Sequence, residues 1–395
     1  MSTVGDQPAE EWAEQQAEHE TDPQAQYQVE PLAENLIERL AQRAFSGADL
    51  AALLTLEEPA AVAQLHRAAY DLTTHEVGDA VYYRGLIELS NRCIRDCYYC
   101  GIRRGNHAVE RYTLDQEAVV EAAVWAAHAG YGSCVLQAGE RQDEPFTAFI
   151  EACVRDIKQQ TRSAQLPQGL GITLSLGEQS AETYQRWREA GAHRYLLRIE
   201  TSSPTLFARL HPPEQRFERR LKALEDLAAC GFQVGTGVMI GLPGQTIADL
   251  VADIRFFASH AIDMIGMGPY LTASGNAMPD SDAATMAPER LLTLTLNMIA
   301  TTRLVLRDVN IAATTALQTL VPDGRERGIA CGANIVMPNI TPTVARSHYQ
   351  LYVGKPCLDE GREACRGCLE RRIRAVGRRV GRDAWGDSKH YARRL

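Results

Sequence analysis

From residue 85 onward, short apolar runs alternate with longer stretches in which apolar residues recur every three or four positions. The runs are GLIELSN (85–91), SCVLQAG (133–139), ITLSLGE (172–178) and HRYLLRIET (193–201), then FQVGTGVMIGLP (232–243), DMIGMGPYL (263–271), NIAATTAL (310–317) and GANIVMP (332–338). Their length and texture predict strands. Between them stand amphipathic stretches such as DQEAVVEAAVWAAHAG, SAETYQRWREAG, FERRLKALEDLAACG, TIADLVADIRFFASH and APERLLTLTLNMIATTRLVLRD. Several end on Gly, which is favoured just past a helix C-terminus. Eight strands alternating with helices over about 250 residues predict an α/β protein, a (β/α)8 TIM barrel. An open doubly wound sheet is the competing arrangement. Polar or unusual residues gather at the C-terminal ends of the runs: Ser90 and Asn91, Gln137 with Gly139 and Glu140, Ser175 with Glu178, Arg198 with Glu200, and Thr314 with Thr315. In a barrel that face carries the chemistry, which favours the closed form.

Helical periodicity also fills EPLAENLIERLAQRA, ADLAALLTL and EEPAAVAQLHRAAYDLTTHEVG, so residues 31–80 are expected to be helices preceding a barrel over 81–345. Residues 346–395 form a C-terminal segment with a second cysteine group and a basic tail; residues 371–395 hold nine Lys/Arg against two Asp. Such an end predicts a solvated, partly helical terminus, with docking to an acidic partner as the alternative. Residues 1–30 are acidic and rich in Gln, Ala and Glu, with no basic leader or apolar core of a secretory signal, and are expected to be a disordered or loosely helical extension. A net charge of −9 argues against generic polyanion binding, so nucleic acid is not an expected partner. No apolar run approaches the roughly 18 residues of a membrane span. Ten cysteines without a signal peptide point to a reducing cytoplasm, where clustered thiols serve metal or redox chemistry.

The thiols cluster most tightly in SNRCIRDCYYCG (90–101), where Cys93, Cys97 and Cys100 are spaced C-x3-C-x2-C directly after the first strand. Structural zinc sites are closed tetrahedra built from two separated pairs of ligands, and here only His107 stands near as a fourth. A disulfide would leave one thiol over. An iron–sulfur cube held by three thiolates keeps one iron open.

With its aromatic residue before the last cysteine and its place after the first strand of a barrel, this loop resembles the radical S-adenosylmethionine (SAM) superfamily. RYLLRIETSSPTLFARLHP, GTGVMIGLPGQT, MIGMGPY and MPNITPT with YQLYVGKPC narrow the likeness to the HydE family of [FeFe]-hydrogenase maturases, relatives of biotin synthase and methylornithine synthase. The resemblance implies a [4Fe-4S] cluster on Cys93, Cys97 and Cys100 that binds SAM and cleaves it reductively to a 5′-deoxyadenosyl radical, in assembly of the diiron subcluster of the hydrogenase. Around SAM it implies Tyr99, Gln137, Gly139, Ser175, Arg198, Glu200 and Arg220, with Arg219 as a neighbour one place away, and the backbone of Met239 and Ile240 against the adenine. Met264, Thr314, Thr315, Met337 and Tyr349 are implied on the substrate side. Its expected partners are a small iron- or sulfur-containing precursor, a reductant such as ferredoxin or flavodoxin, and sister maturases.

Each assignment has a plainer competitor. Arg198 and Glu200 could be a structural ion pair, Ser175 a strand-end cap, and the Met and Tyr positions ordinary core. A methylornithine-type mutase and a non-catalytic iron–sulfur scaffold remain alternative functions. GTGVMIGLPG does not fit the G-x-G-x-x-G fingerprint of dinucleotide-binding folds. Cys357, Cys365 and Cys368, in CLDEGREACRGC, are expected on a polar loop as a second metal site; the resemblance implies an accessory iron–sulfur cluster, [2Fe-2S] or [4Fe-4S]. Cys134, Cys153, Cys230 and Cys331 lie among apolar residues and are expected to be core.

Overall fold

The computed structural model describes residues 30–42, 45–260, 262–278 and 286–394. The acidic extension expected over residues 1–30 therefore falls almost wholly outside the described residues. Eight parallel strands close into a barrel: β1 Ala80–Ser90, β2 Ser133–Ala138, β3 Gly171–Ser175, β4 Arg194–Leu196, β5 Gln233–Ile240, β6 Met264–Pro269, β7 Asn310–Ala313 and β8 Ile335–Val336. β1 pairs with both β2 and β8, which removes the open edges of a doubly wound sheet. The strands are buried almost throughout, as expected for a parallel sheet wrapped by helices. Helix starts follow local chemistry: Asp115, Asp143, Ser180 and Thr246 each accept a backbone N–H of the first turn. The helices Glu30–Ala41, Gly47–Leu54 and Pro59–Glu76 pack against the long helix Pro288–Leu306. His66 Nε2 meets Asn297 Oδ1 there at 2.9 Å. No helix among the described residues is long and apolar enough to cross a membrane.

β4, β7 and β8 keep half or less of their predicted apolar runs. β4 ends at Leu196 because the Thr236 hydroxyl takes the Ile199 N–H at 3.0 Å, and Glu200 turns left-handed at φ +66° before bridging Val238. β7 stops at Ala313, since Thr314 and Thr315 open the helix Thr315–Leu320. β8 keeps two residues of its run.

The basic tail is partly helical and most of its Lys and Arg side chains stay exposed, as expected, yet it docks on the barrel instead of ending free in solvent. A ninth strand, Arg379–Gly381, lies parallel to Ala80–Tyr82, and the chain then crosses the floor of the barrel. Gly132 makes room for it, because a Cβ there would stand 1.7 Å from the Ala384 carbonyl oxygen. Inside, Arg84 and Asn310 donate to Gly386 O at 3.2 and 2.9 Å. Arg194 donates to Asp387 at 2.5 Å, and His193 Nε2 lies 3.1 Å from the same oxygen. Arg393 pairs with Asp308 and Arg394 with Asp263, at 2.8 and 2.6 Å. The tail's charges find acidic partners far away in sequence, which composition alone does not reveal.

Burial and the Arg194 charge push the His193 imidazole down to about 3. Burial alone would raise Asp387, but His193 and Arg194 outweigh it and hold its carboxyl below the usual range. An unfolded histidine takes up its proton near pH 6.5, roughly, whereas the buried one resists, so acidification favours the unfolded chain. The stabilisation of wild type relative to His193→Gln should therefore shrink by about 2 kcal/mol between about pH 7 and pH 5, read from anaerobic unfolding curves. A margin that grows on acidification would contradict this burial of neutral imidazole.

Candidate functional site

The cysteine loop is folded by its own polar residues before any ligand is considered. Asn91, fully buried, donates to Glu110 O and His348 O, both at 2.7 Å, and accepts the Tyr112 N–H at 2.8 Å. Arg111 gathers the carbonyls of Asn91, Ile102 and Arg103 at 2.6 to 2.7 Å. Asp96 accepts from Arg103 and from the Gly105 N–H at 2.9 and 2.8 Å, closing the far side of the loop.

Cys93 Sγ accepts the N–H groups of Glu140 and Arg95 at 3.3 and 3.4 Å, and Cys97 Sγ accepts Gln215 Nε2 at 3.3 Å. Donors aimed at sulfur suit thiolates. Without a metal, however, burial pushes the Cys97 thiol up to about 12 and raises Cys93 and Cys100 as well, so a thiophilic centre must displace their protons. Gly139, at the end of β2, fits against this loop: a Cβ there would lie 2.5 Å from Arg92 O and 2.7 Å from Cys93 Cβ. Among the described residues, only Cys357, Glu360 and Cys365 bring three such ligand atoms within 4.8 Å of one another. The sulfurs of Cys93, Cys97 and Cys100 are spread wider. That spacing fits three corners of an iron–sulfur cube better than the single tetrahedron of zinc.

A buried chain of alternating charge surrounds the thiols. Arg95 Nε donates to Glu140 at 2.7 Å, and Arg95 Nη2 meets Glu178 at 3.3 Å. Arg220 Nε donates to Glu178 at 2.8 Å, and Arg220 also caps the Arg198 carbonyl. Burial would lower the Arg220 pKa, but Glu178 outweighs it and raises it. Of the two adjacent arginines, Arg220 is buried and Arg219 exposed, so only Arg220 faces this interior. Glu140 and Glu178 stood out in the sequence only as polar strand ends, and Arg95 not at all; a charge inside a cysteine loop was the available signal.

Arg198 donates from Nε to both Glu200 oxygens at 3.0 Å. Its other nitrogens reach Gly266 O and Val238 O at 2.7 and 2.9 Å. Arg198 thus positions Glu200, as the ion-pair reading held. The Tyr99 hydroxyl lies 3.5 Å from Glu200 Oε1. Met239 N–H donates to Glu200 O, Met239 O accepts Gln245 Nε2 and Ile240 O accepts the Tyr270 N–H. Each carbonyl retains one lone pair for a further donor.

Across β1 to β3, Glu88, Gln137 and Ser175 sit side by side in register, so their side chains share one face. Gln137 Nε2 donates to the Tyr349 hydroxyl at 3.3 Å. Glu88 pairs with Lys355, and Asn339 donates to its other oxygen at 3.0 Å. Both members of this buried pair escaped the sequence reading, although Glu88 stands inside an apolar strand. Burial raises the Glu88 pKa, with Lys355 acting against it. Thr314 donates to Met267 O at 3.1 Å, and Met337 is half-buried just after β8. Met264 lies apart from the cysteine loop, at the start of β6 near the floor, where its sulfur accepts from Arg84 at 2.8 Å.

The second thiol group lies partly on the helix Arg362–Ala375 and not wholly on a loop; Cys365 is buried. Arg325 reaches Cys357 Sγ at 3.7 Å, and the Cys365 thiol, then Arg325, bring Cys357 down to about 6 while Cys365 rises. Cys368 falls outside that compact group and accepts Arg372 Nε at 3.2 Å. The compact trio is therefore Cys357, Glu360 and Cys365, with carboxylate in place of the third predicted thiol.

A profile of the Radical SAM superfamily matches residues 87–257, which hold the loop, β2 to β5 and the buried charge chain. The chain is a radical SAM enzyme, a class that works with a [4Fe-4S] cluster and SAM. It is 42% identical over 348 residues to the [FeFe] hydrogenase maturase subunit HydE of Thermotoga maritima, spanning 88% of this chain and 95% of that one. It belongs to the HydE family. The 3-methylornithine synthase of Methanosarcina acetivorans is 27% identical over 294 residues, 74% of this chain and 78% of its own. The crystal structure of methylornithine synthase shares the fold at a TM-score of 0.71 and 24% identity, over 88% of this chain and 98% of that one.

Gly139→Ala should force the cysteine loop off β2. After anaerobic reconstitution the variant is expected to hold severalfold less iron than wild type at unchanged helical circular dichroism. Full iron loading would show that the close approach is dispensable.

Proposed function

We propose that this chain matures [FeFe]-hydrogenase, as a radical SAM enzyme acting on a small iron- or sulfur-containing precursor during assembly of the diiron subcluster. The observation that carries the reading is identity to the Thermotoga maturase along nearly its whole length, joined to a three-thiol loop at the barrel mouth. Cys93, Cys97 and Cys100 would hold the cluster. Reduced and bound to SAM, it supplies the electron that breaks a carbon–sulfur bond and releases the 5′-deoxyadenosyl radical. Around it, Glu200, fixed by Arg198, offers a carboxylate to ribose hydroxyls or the methionyl ammonium. Arg220 offers a guanidinium to the methionyl carboxylate. Tyr99, Gln137, Gly139, Ser175, Met239 and Ile240 would complete the SAM pocket. Thr314, Thr315, Met337 and Tyr349 would face the precursor, and Met264 would bound the cavity toward the floor. The closed barrel keeps water from the radical.

A second metal centre would sit at Cys357 and Cys365, with Cys368 joining once its sulfur leaves Arg372. Cys357, lowered by the Cys365 thiol and Arg325, suits an iron–sulfur cluster in a reducing cytoplasm. A ferredoxin or flavodoxin would supply electrons, and sister maturases would receive the product.

Anaerobically reconstituted protein under strong reductant should convert SAM to 5′-deoxyadenosine, and its gene should restore hydrogenase activity to a strain lacking its own maturase. Cys97→Ala should abolish SAM cleavage, whereas Cys365→Ala should largely spare it. Equal losses in both variants, or cleavage without restored hydrogenase, would contradict these roles.

A further inference from the structure

The proposed reaction draws one electron into the cluster for every SAM cleaved, and the barrel interior beneath the cysteine loop is the side given to SAM. The electron therefore enters through the loop's outer wall. Two backbone hydrogen bonds gather that wall: the Ile94 N–H donates to Glu140 O at 2.9 Å, and the Arg104 N–H donates to Arg95 O at 2.8 Å. Arg104 is thus brought beside Arg92 and Ile94, the chain neighbours of Cys93. All three are exposed, Ile94 by 42%. Arg92 makes no ion pair among the described residues, and Arg104 reaches only Glu214, itself exposed, at 3.9 Å. His107, further along the loop, is exposed as well. Of the loop's carboxylates, Asp96 is committed to Arg103 and the Gly105 N–H, and Glu110 lies at the far end against His348. On the other flank, Val353 is 59% exposed, two residues past Leu351, whose carbonyl accepts the Gly101 N–H at 3.1 Å. A chain of net charge −9 therefore sets cations around exposed aliphatic side chains directly over its cysteine loop. An apolar centre with a charged rim is the anatomy of a docking face.

We propose that this wall docks an acidic protein that carries single electrons, with Arg92 and Arg104 steering it and Ile94 in the contact. The carrier is oxidised by one electron and the cluster reduced by one, the electron entering beside Cys93. Local attraction at the wall offsets the repulsion between two acidic proteins and brings the carrier to the one face where it is useful. The docking rests on the reading of the loop as a radical SAM cluster site.

The test uses anaerobically reconstituted protein with reduced flavodoxin, an acidic carrier, and measures the flavodoxin dissociation constant and the rate of cluster reduction against ionic strength. The wild-type rate should fall as salt rises, because salt screens the local attraction. Net charge alone would make it rise. Arg92→Glu with Arg104→Glu should weaken binding and slow reduction by about tenfold at low salt. At unchanged iron content, dithionite should still reduce that variant and drive SAM cleavage as in wild type. Arg371→Glu with Arg374→Glu, at exposed positions of the helix Arg362–Ala375, changes the net charge equally and should leave both values close to wild type. Equal losses in the two charge-reversed pairs, or a wild-type rate that rises with salt, would overturn the docking. Should the loop variant fail to load iron, the salt dependence of wild type decides by itself. Wild-type protein that dithionite cannot reduce, or that leaves SAM uncleaved, would instead sink the reading of the radical site.

Discussion

Arg95 is the contact on which the site depends. Its guanidinium lies between Glu140, after β2, and Glu178, after β3, so one side chain from the cysteine loop ties that loop to two neighbouring strands. Arg220 extends the chain from helix Phe217–Ala229, and the four charges sum to zero. Burying unpaired charge is costly, so each member is committed to its place by the others. The thiols inherit that rigidity, since the N–H groups of Arg95 and Glu140 both point at Cys93 Sγ.

The rest of the barrel encloses this arrangement. The C-terminal tail shuts the floor through Asp387, Arg194 and Arg84, while Glu88, Gln137 and Ser175 form a polar layer across β1 to β3. Above that layer, Lys355 and Tyr349 bring the C-terminal segment over the cysteine loop. A reaction that releases a carbon radical needs such closure, because the radical must meet its substrate before any other hydrogen donor.

Much of this was legible in the sequence where the signal is local. The alternation of apolar runs with amphipathic helices carried the barrel, and Cys93, Cys97 and Cys100 marked the candidate site because all three thiols fall in one short loop. What escaped was non-local. The tail's docking escaped because its acidic partners Asp308, Asp263 and Glu76 lie far away along the chain. The ends of β4 and β7 are set by side chains, the Thr236 hydroxyl and the turn at Thr314, that hydrophobic patterning does not register. Cys368 stood beside Cys365 at a helical interval, yet Arg372, one turn on, holds its sulfur out of the trio. Arg198 was placed rightly beside Glu200, although Glu200 lies beyond the end of β4 in a left-handed turn.

All of it converges on the proposal that three thiolates from a single loop would hold a cluster with one iron left open. Electron–nuclear double resonance on the reduced protein, with SAM labelled by 15N at its amino group and 17O at its carboxylate, examines that iron directly. The account predicts hyperfine coupling of both labels to the cluster. Spectra carrying neither coupling, from protein whose cluster is loaded and reduced, would contradict it.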